Sequence, residues 1–182
     1  MSDKRTPSDR IGPEEYERLA SAAAPTLFPE IDLEAMTLSF NMIRMANRLM
    51  KDLEVSVHRR NGMSFSSYRV LFAIRAAERI TPNELARLSS VSTASMSSML
   101  NTLERGGLIL RESDPEDGRR AIVSLSPLGE QTLADALPLN NAREREWAAG
   151  LSPGEQTMLL ELLRKWLRFR PPAEPHEASK GS

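Results

Sequence analysis

No cysteine occurs among the 182 residues, which excludes disulfides, thiolate zinc sites and thiol-based oxidant sensing. Histidine is almost as scarce. His58 and His176 lie far apart in sequence, one near a helix end and one in a polar tail, so neither a metal site nor any other cofactor is expected. No apolar run approaches the roughly 20 residues of a membrane span, and the N-terminus has no signal-peptide core. A cytoplasmic chain with no membrane partner is therefore expected. Net charge is also missing: 24 basic against 25 acidic residues leave −1, which argues against a generally basic nucleic-acid coat but not against locally placed cations. There is no glycine-rich phosphate loop, metal-ligand cluster or Ser–His pairing in a plausible context, so the chain does not read as an enzyme.

What is present is concentrated in residues 80–126. Thr81-Pro82-Asn83-Glu84 forms a capping box, with Pro82 at the first helical position where its missing N–H costs nothing. Leu85, Ala86 and Leu88 give this short helix a small apolar face. Ser92 can cap a second helix running to about Arg105. On a helical wheel, Met96, Met99, Leu100 and Leu103 fall on one side; Ala94, Ser97, Ser98, Asn101 and Arg105 fall on the other. Gly106-Gly107 ends the helix. A front of small polar groups suits a DNA major groove, where amides and hydroxyls meet base edges. Two β-rich runs follow, residues 108–112 and 121–125, around the turn-forming stretch 113–120. Arg119 and Arg120 then stand at or just behind a hairpin tip, suited to a narrow minor groove or to phosphates. In isolation such arginines would equally pair with Asp114, Glu116 and Asp117 in a solvated loop.

The flanks are helical. Pro13 with Glu14 and Glu15 opens a short helix that Pro25 and Pro29 are expected to break. It reads either as an arm docking on a partner subunit or as a mobile extension. Leu33, Met36, Phe40, Ile43, Ala46, Met50, Leu53 and Val57 step by three or four along one long helix to about Arg59. Another helix runs from Ser66 to about Glu78, with Val70, Leu71 and Ile74 inward beside Tyr68 and Phe72. Ser126-Pro127 starts a helix that Pro138 should kink or interrupt. Ser152-Pro153-Gly154-Glu155 is a second capping box, opening a last helix whose face (Met158, Leu159, Leu162, Leu163, Trp166, Leu167) is too apolar to leave in water. Nine methionines read as core packing rather than as a cofactor site or oxidation sensor.

An ordered series of short motifs resembles the MarR family of bacterial transcriptional regulators. It comprises Tyr68-x-Val70-Leu71, Leu85-Ala86-x-Leu88, Leu103-Glu104-x-Gly106-Gly107-Leu108-Ile109-x-Arg111, Asp114-Pro115-x-Asp117-x-Arg119 and Val123-x-Leu125-Ser126-x-x-Gly129. The resemblance implies a homodimer whose recognition helices enter successive major grooves of double-stranded DNA while wings reach the minor grooves. It also implies a repressor released by a small aromatic or antibiotic-like effector. Ser97 and Ser98 stand where relatives often carry Thr and Arg, which removes a possible guanine or phosphate contact. Residues 61–125 hold eight Lys/Arg against seven Asp/Glu, so modest affinity per half-site and reliance on dimerisation are expected.

The expected fold is mainly α with a small β-hairpin wing. Its parts are an N-terminal arm (1–30, partly disordered), a dimerisation helix (31–62), a winged helix-turn-helix (63–126), C-terminal dimerisation helices (127–170) and a disordered tail (171–182). Expected DNA contacts are Ser92, Thr93, Ala94, Ser97, Ser98 and Asn101 at or near base edges, Arg105 and Arg111 at phosphates, and Arg119, with Arg120, in the minor groove. Asp117 would hold the wing arginine in position. Phe40, Tyr68 and Phe72 either line an effector space or are plain core. A winged helix that binds only protein is the alternative; near-neutral charge favours it and the wing arginines oppose it.

Overall fold

The computed structural model describes residues 12–113 and 120–171. The chain divides into two compact units, Met1–Ala136 and Leu137–Ser182, described separately below.

In the first unit, α1 (Pro13–Leu27) starts with Glu14 and Glu15 in its first turn and packs on α2 (Leu33–Leu53). Asn41 Nδ2 donates to Glu17 Oε2 at 2.8 Å, and the Arg44 guanidinium sits 5.2 Å from the Tyr16 ring centroid. Pro25 does not break α1. It lies within the last turn of the helix, where its missing N–H removes a single helical bond and the bonds beyond it still form: the Phe28 N–H reaches Ala24 O at 3.0 Å.

The long helix expected to reach Arg59 changes winding first. Asp32 caps α2, which ends at Leu53; Glu54–His58 is a π-helical turn and Arg59–Asn61 a 3-10 turn. Gly62 at φ 71° then turns the chain, a conformation that costs glycine little. The wider turn comes where Leu53, Val57 and His58 are all buried. Ser64 caps α3 (Phe65–Ala77) through the Ser67 N–H.

The core of this unit collects Val70, Leu71 and Ile74 from α3, Leu85 and Ala86 from α4 (Pro82–Ser89), and Met96, Leu100 and Leu103 from α5 (Thr93–Arg105). Ile109 of β1 (Ile109–Ser113) and Val123 of β2 (Ala121–Leu125) close it on one side, and Leu133 and Ala136 of α6 (Pro127–Ala148) join them. Full burial of one such side chain is worth about 1.5–3 kcal/mol. Two expected core positions face solvent instead: Leu88 is 62% exposed and Phe72 47%. Each lies at same-face spacing from a buried residue, Leu88 three after Leu85 and Phe72 four after Tyr68, so both stand at the margin of the apolar face rather than at its centre. Among the methionines Met96 is fully buried, whereas Met50 is exposed on this chain.

Strands β1 and β2 are antiparallel, with Ile109 opposite Leu125 and Ser113 opposite Ala121. Ile80 adds a bridge to the sheet, accepting the Val123 N–H at 2.8 Å. The start of α6 is locked to the end of α5. Ser126 Oγ donates to Gly107 O at 2.5 Å and accepts the Gly129 N–H at 3.0 Å, while the Ser126 N–H donates to Leu108 O at 3.1 Å. Gly129 lies so close to this crossing that a Cβ there would stand 2.0 Å from Leu108 O.

In the second unit, α6 continues past Pro138 without interruption. Asn140 is buried and donates to Glu144 Oε1 at 2.7 Å. The turn before α7 (Pro153–Arg168) is closed by Gln156, whose Nε2 donates to Ala148 O and Leu151 O. The Ser152–Glu155 capping box is formed in both directions. Met158, Leu162 and Leu167 of α7 are exposed on this chain.

Candidate nucleic-acid interface

The local sequence sets two helices at a fixed turn. Thr81 and Glu84 complete a reciprocal capping box at the start of α4: the Thr81 hydroxyl accepts the Glu84 N–H, and Glu84 accepts the Thr81 N–H at 2.9 Å. These bonds from Thr81, backbone first and hydroxyl second, hold the Glu84 carboxyl below the usual carboxylate range, with smaller help from the charges of Arg87 and Arg120. Ser90 adopts φ 54° and ends α4. Two residues later Ser92 caps α5, its hydroxyl accepting the Ser95 N–H at 3.1 Å and donating to Ser95 Oγ at 2.9 Å. With Met96, Leu100 and Leu103 buried behind it, α5 turns Thr93, Ala94, Ser97, Ser98 and Asn101 to solvent. The helix ends through Gly107 at φ 70° and the Leu108 N–H, which donates to Leu103 O.

The cations expected at phosphates have partners within the chain. Arg105 Nε donates to Asn101 O at 3.2 Å, and its Nη2 lies 3.4 Å from Thr102 Oγ1. Arg111 crosses from β1 to α5. Its Nε meets Glu104 Oε2 at 3.3 Å and its Nη2 donates to Asn101 Oδ1 at 2.7 Å. The strand that begins the wing is thereby clamped to the face of α5. Arg120 is exposed at the entrance to β2. Asp117 and Arg119, singled out at the wing tip, lie outside the described residues.

The three aromatic residues considered for an effector do not converge. Tyr68 is buried in a row with His58, Phe65 and Phe72, at centroid distances of 4.5, 6.2 and 6.3 Å from those rings. Phe40 belongs instead to the α1–α2 seam, beside a space of about 10 Å³ lined with Tyr16 and Met36, enough for one water at most. Glu104 and Gly129 stood in the quoted motifs without a role, and Ser126 was expected only to start a helix, not to tie it to Gly107 and Leu108. Glu54 was missed altogether. From the π turn its Oε2 accepts the Phe65 N–H at 2.6 Å while Oε1 takes Arg59 Nε at 3.1 Å. The Phe65 N–H is the main reason its carboxyl titrates below the ordinary range. Among the described residues no cluster of His, Asp and Glu could hold a metal ion, and no helix is long and apolar enough to cross a membrane.

A capped helix, a tight turn, a second helix with a polar front and an apolar back, and a two-stranded wing tied to it define a winged helix-turn-helix. Comparison with known proteins narrows the class. A sequence profile described as MarR family matches residues 61–120. The uncharacterized HTH-type transcriptional regulator YwaE of Bacillus subtilis is 30% identical over 135 residues, which is 74% of this chain and 79% of YwaE. A probable transcriptional regulator from Pseudomonas aeruginosa shares the fold at a TM-score of 0.64 and 30% identity, over 70% of this chain and 95% of its own. The crystal structure of a mutant MarR from E. coli complexed with operator DNA is similar at a TM-score of 0.67 and 25% identity, over 76% of this chain and 99% of its own. The chain belongs to the MarR family of winged-helix, DNA-binding transcriptional regulators.

Proposed function

We propose that the protein is a homodimeric repressor that binds a pseudo-palindromic operator in double-stranded DNA. The observation that carries this reading is α5: a helix fixed by a buried apolar back whose exposed front, from Thr93 to Asn101, is made of small and mostly polar side chains. Such a surface wins little by meeting apolar protein, but it can enter a major groove and meet base edges. Thr93, Ala94, Ser97, Ser98 and Asn101 are assigned to the groove, Ser92 to the backbone beside it, Arg105 to phosphate, and Arg119 with Arg120 to the minor groove. Asp117 is assigned to steadying the wing. The likeness to the operator-bound E. coli MarR supports the same docking.

Two-fold symmetry follows from the need to read two half-sites about one helical turn (~34 Å) apart. The apolar side chains that α7 and, separately, α2 leave exposed, among them Leu162, Leu167, Leu38 and Ile43, support burial against a second copy. A dimer seated on an operator within a promoter excludes polymerase, hence repression. Effector control is assigned to the aromatic row ending in the exposed Phe72, where a planar aromatic acid could stack. Phe40, in its separate seam, has no part in that surface.

Selection of random duplexes by the purified chain, followed by sequencing, tests the proposal. A symmetric motif with half-sites one turn apart is expected, with a dimer in sedimentation. Arg119→Ala should weaken operator binding and lower its salt dependence by about one phosphate contact per subunit. A monomer that retains no duplex at low salt overturns the proposal and leaves a protein-binding winged helix.

A further inference from the structure

We infer that Asn101 is set as a hydrogen-bond donor toward the groove and reads guanine, with Arg111 as the residue that positions it. The inference rests on the DNA-binding reading above and deepens it. A carboxamide can present its oxygen, its nitrogen or both, and the two are normally interchangeable by a flip. Here they are not. The group facing Asn101 from β1 is a guanidinium, which has only donors, so the amide oxygen must be the end that meets it, 2.7 Å from Arg111 Nη2. Glu104 forms an ion pair with the same guanidinium, its Oε2 lying 3.3 Å from Nε, which favours keeping Arg111 in place. The Asn101 backbone is steadied too, its carbonyl accepting from Arg105 Nε. Asn101 is exposed; with its oxygen turned toward the wing, its NH₂ is the outward end.

That orientation decides which base fits. Pairing with adenine needs the oxygen and the nitrogen of the amide presented together, one to N6 and one to N7. The oxygen keeps a second lone pair, but a base amino group brought to it would sit beside a cation. An outward NH₂ meets acceptors; guanine offers two adjacent ones in the major groove, O6 and N7, whereas adenine offers N7 beside a donor and thymine O4 beside a methyl group, so guanine is the best match. Ser98, on the same face, presents one hydroxyl, whereas Asn101, three residues further along, brings an amide NH₂ with two donors.

The test uses the full chain and duplex selection with wild type, Asn101→Ala, Asn101→Asp and Arg111→Met. Wild type should select guanine at one symmetry-related position. Asn101→Ala should flatten preference there and weaken the selected site about tenfold, the scale of one base-edge pair. Asn101→Asp keeps an oxygen for Arg111 but replaces the donor by an acceptor, so guanine should vanish from that position while melting stays near wild type. Arg111→Met should blur that position and leave preferences elsewhere intact, a pattern that general loss of structure would not produce. Placing 7-deazaguanine there should weaken wild type severalfold and leave Asn101→Ala unaffected. The inference is overturned if wild type selects adenine or thymine at the Asn101-dependent position, or if Asn101→Ala weakens every duplex alike. Absence of any selected duplex with wild type sinks the DNA-binding reading itself, a different outcome.

Discussion

Replacing Gly129 by alanine sets two effects against each other with opposite signs. Gly129 is the third residue of α6, and helix propensity alone favours alanine over glycine by about 0.8–1 kcal/mol in a helix interior. The surroundings say otherwise. An added Cβ would lie 2.0 Å from the carbonyl oxygen of Leu108 and 3.0 Å from its carbon, so the two backbones must part by more than 1 Å. Leu108 O also accepts the Ser126 N–H at 3.1 Å, and Ser126 Oγ ties Gly107 O and the Gly129 N–H. The obstacle is therefore backbone held by backbone, not a side chain free to swing. Separation costs on the order of 1–3 kcal/mol in strain, and each buried partner left unsatisfied adds about 1–3 kcal/mol. Together these exceed the propensity gain, giving a net loss of about 3 kcal/mol and a fall in Tm of about 6–12 °C for a chain of this size. Thermal melts of wild type and Gly129→Ala by circular dichroism decide the matter. An unchanged or raised Tm would refute the argument, because it would mean that the α5–α6 crossing yields without cost.

Ser126→Ala removes the other half of the same junction, and a loss of about 1–2 kcal/mol is expected in urea unfolding; unchanged stability would mean water replaces the hydroxyl. Leu100→Ala empties a fully buried site at the centre of α5 and should cost about 2–5 kcal/mol, read by the same melts. The Glu54 carboxyl titrates below its ordinary 4.5 because it accepts the Phe65 N–H. Its stabilisation is thus whole above pH 4.5 and is lost as pH falls through the lower folded value. Glu54→Gln should therefore melt below wild type at neutral pH and converge with it in strong acid, and equal melting at neutral pH would exclude the role.

The parts legible in the sequence are those encoded within four residues. Thr81 with Glu84 and Ser152 with Glu155 announce their capping boxes because both partners lie in one turn, and both boxes are formed. The apolar back of α5 was equally plain, since Met96, Leu100 and Leu103 share one face whatever packs against them. The π turn at Glu54–His58 left no such mark: it contains neither glycine nor proline, and steps of three and four fit a straight helix as well. Pro25 misled in the opposite sense: in the last turn it removes one helical bond, and α1 continues through it to Leu27. Leu88 and Phe72 were placed inward by their spacing from Leu85 and Tyr68, but both stand at the margin of the apolar face and are exposed. The Arg111–Asn101 contact joins residues ten apart through the turn between α5 and β1. Only the pairing of β1 with β2 and its docking on α5 could reveal it.

That contact also bears on how a chain of net charge −1 can serve a DNA-binding family. A strongly basic surface gains affinity from counterion release, a gain blind to sequence. Here two of the cations nearest α5 are engaged within the chain: Arg105, although exposed, lies along its own helix, and Arg111 contacts Glu104 and Asn101. Each gives up part of its attraction for phosphate and in exchange holds a neighbour still. Side chains already fixed lose less freedom on binding, so each contact they make counts more fully. Weaker non-specific binding is the expected outcome, measurable as a shallow salt dependence on random duplex, and it would raise the ratio of operator to bulk DNA that decides occupancy in a genome. The sparse charge around α5 is thus consistent with recognition that depends on shape and on a few oriented groups.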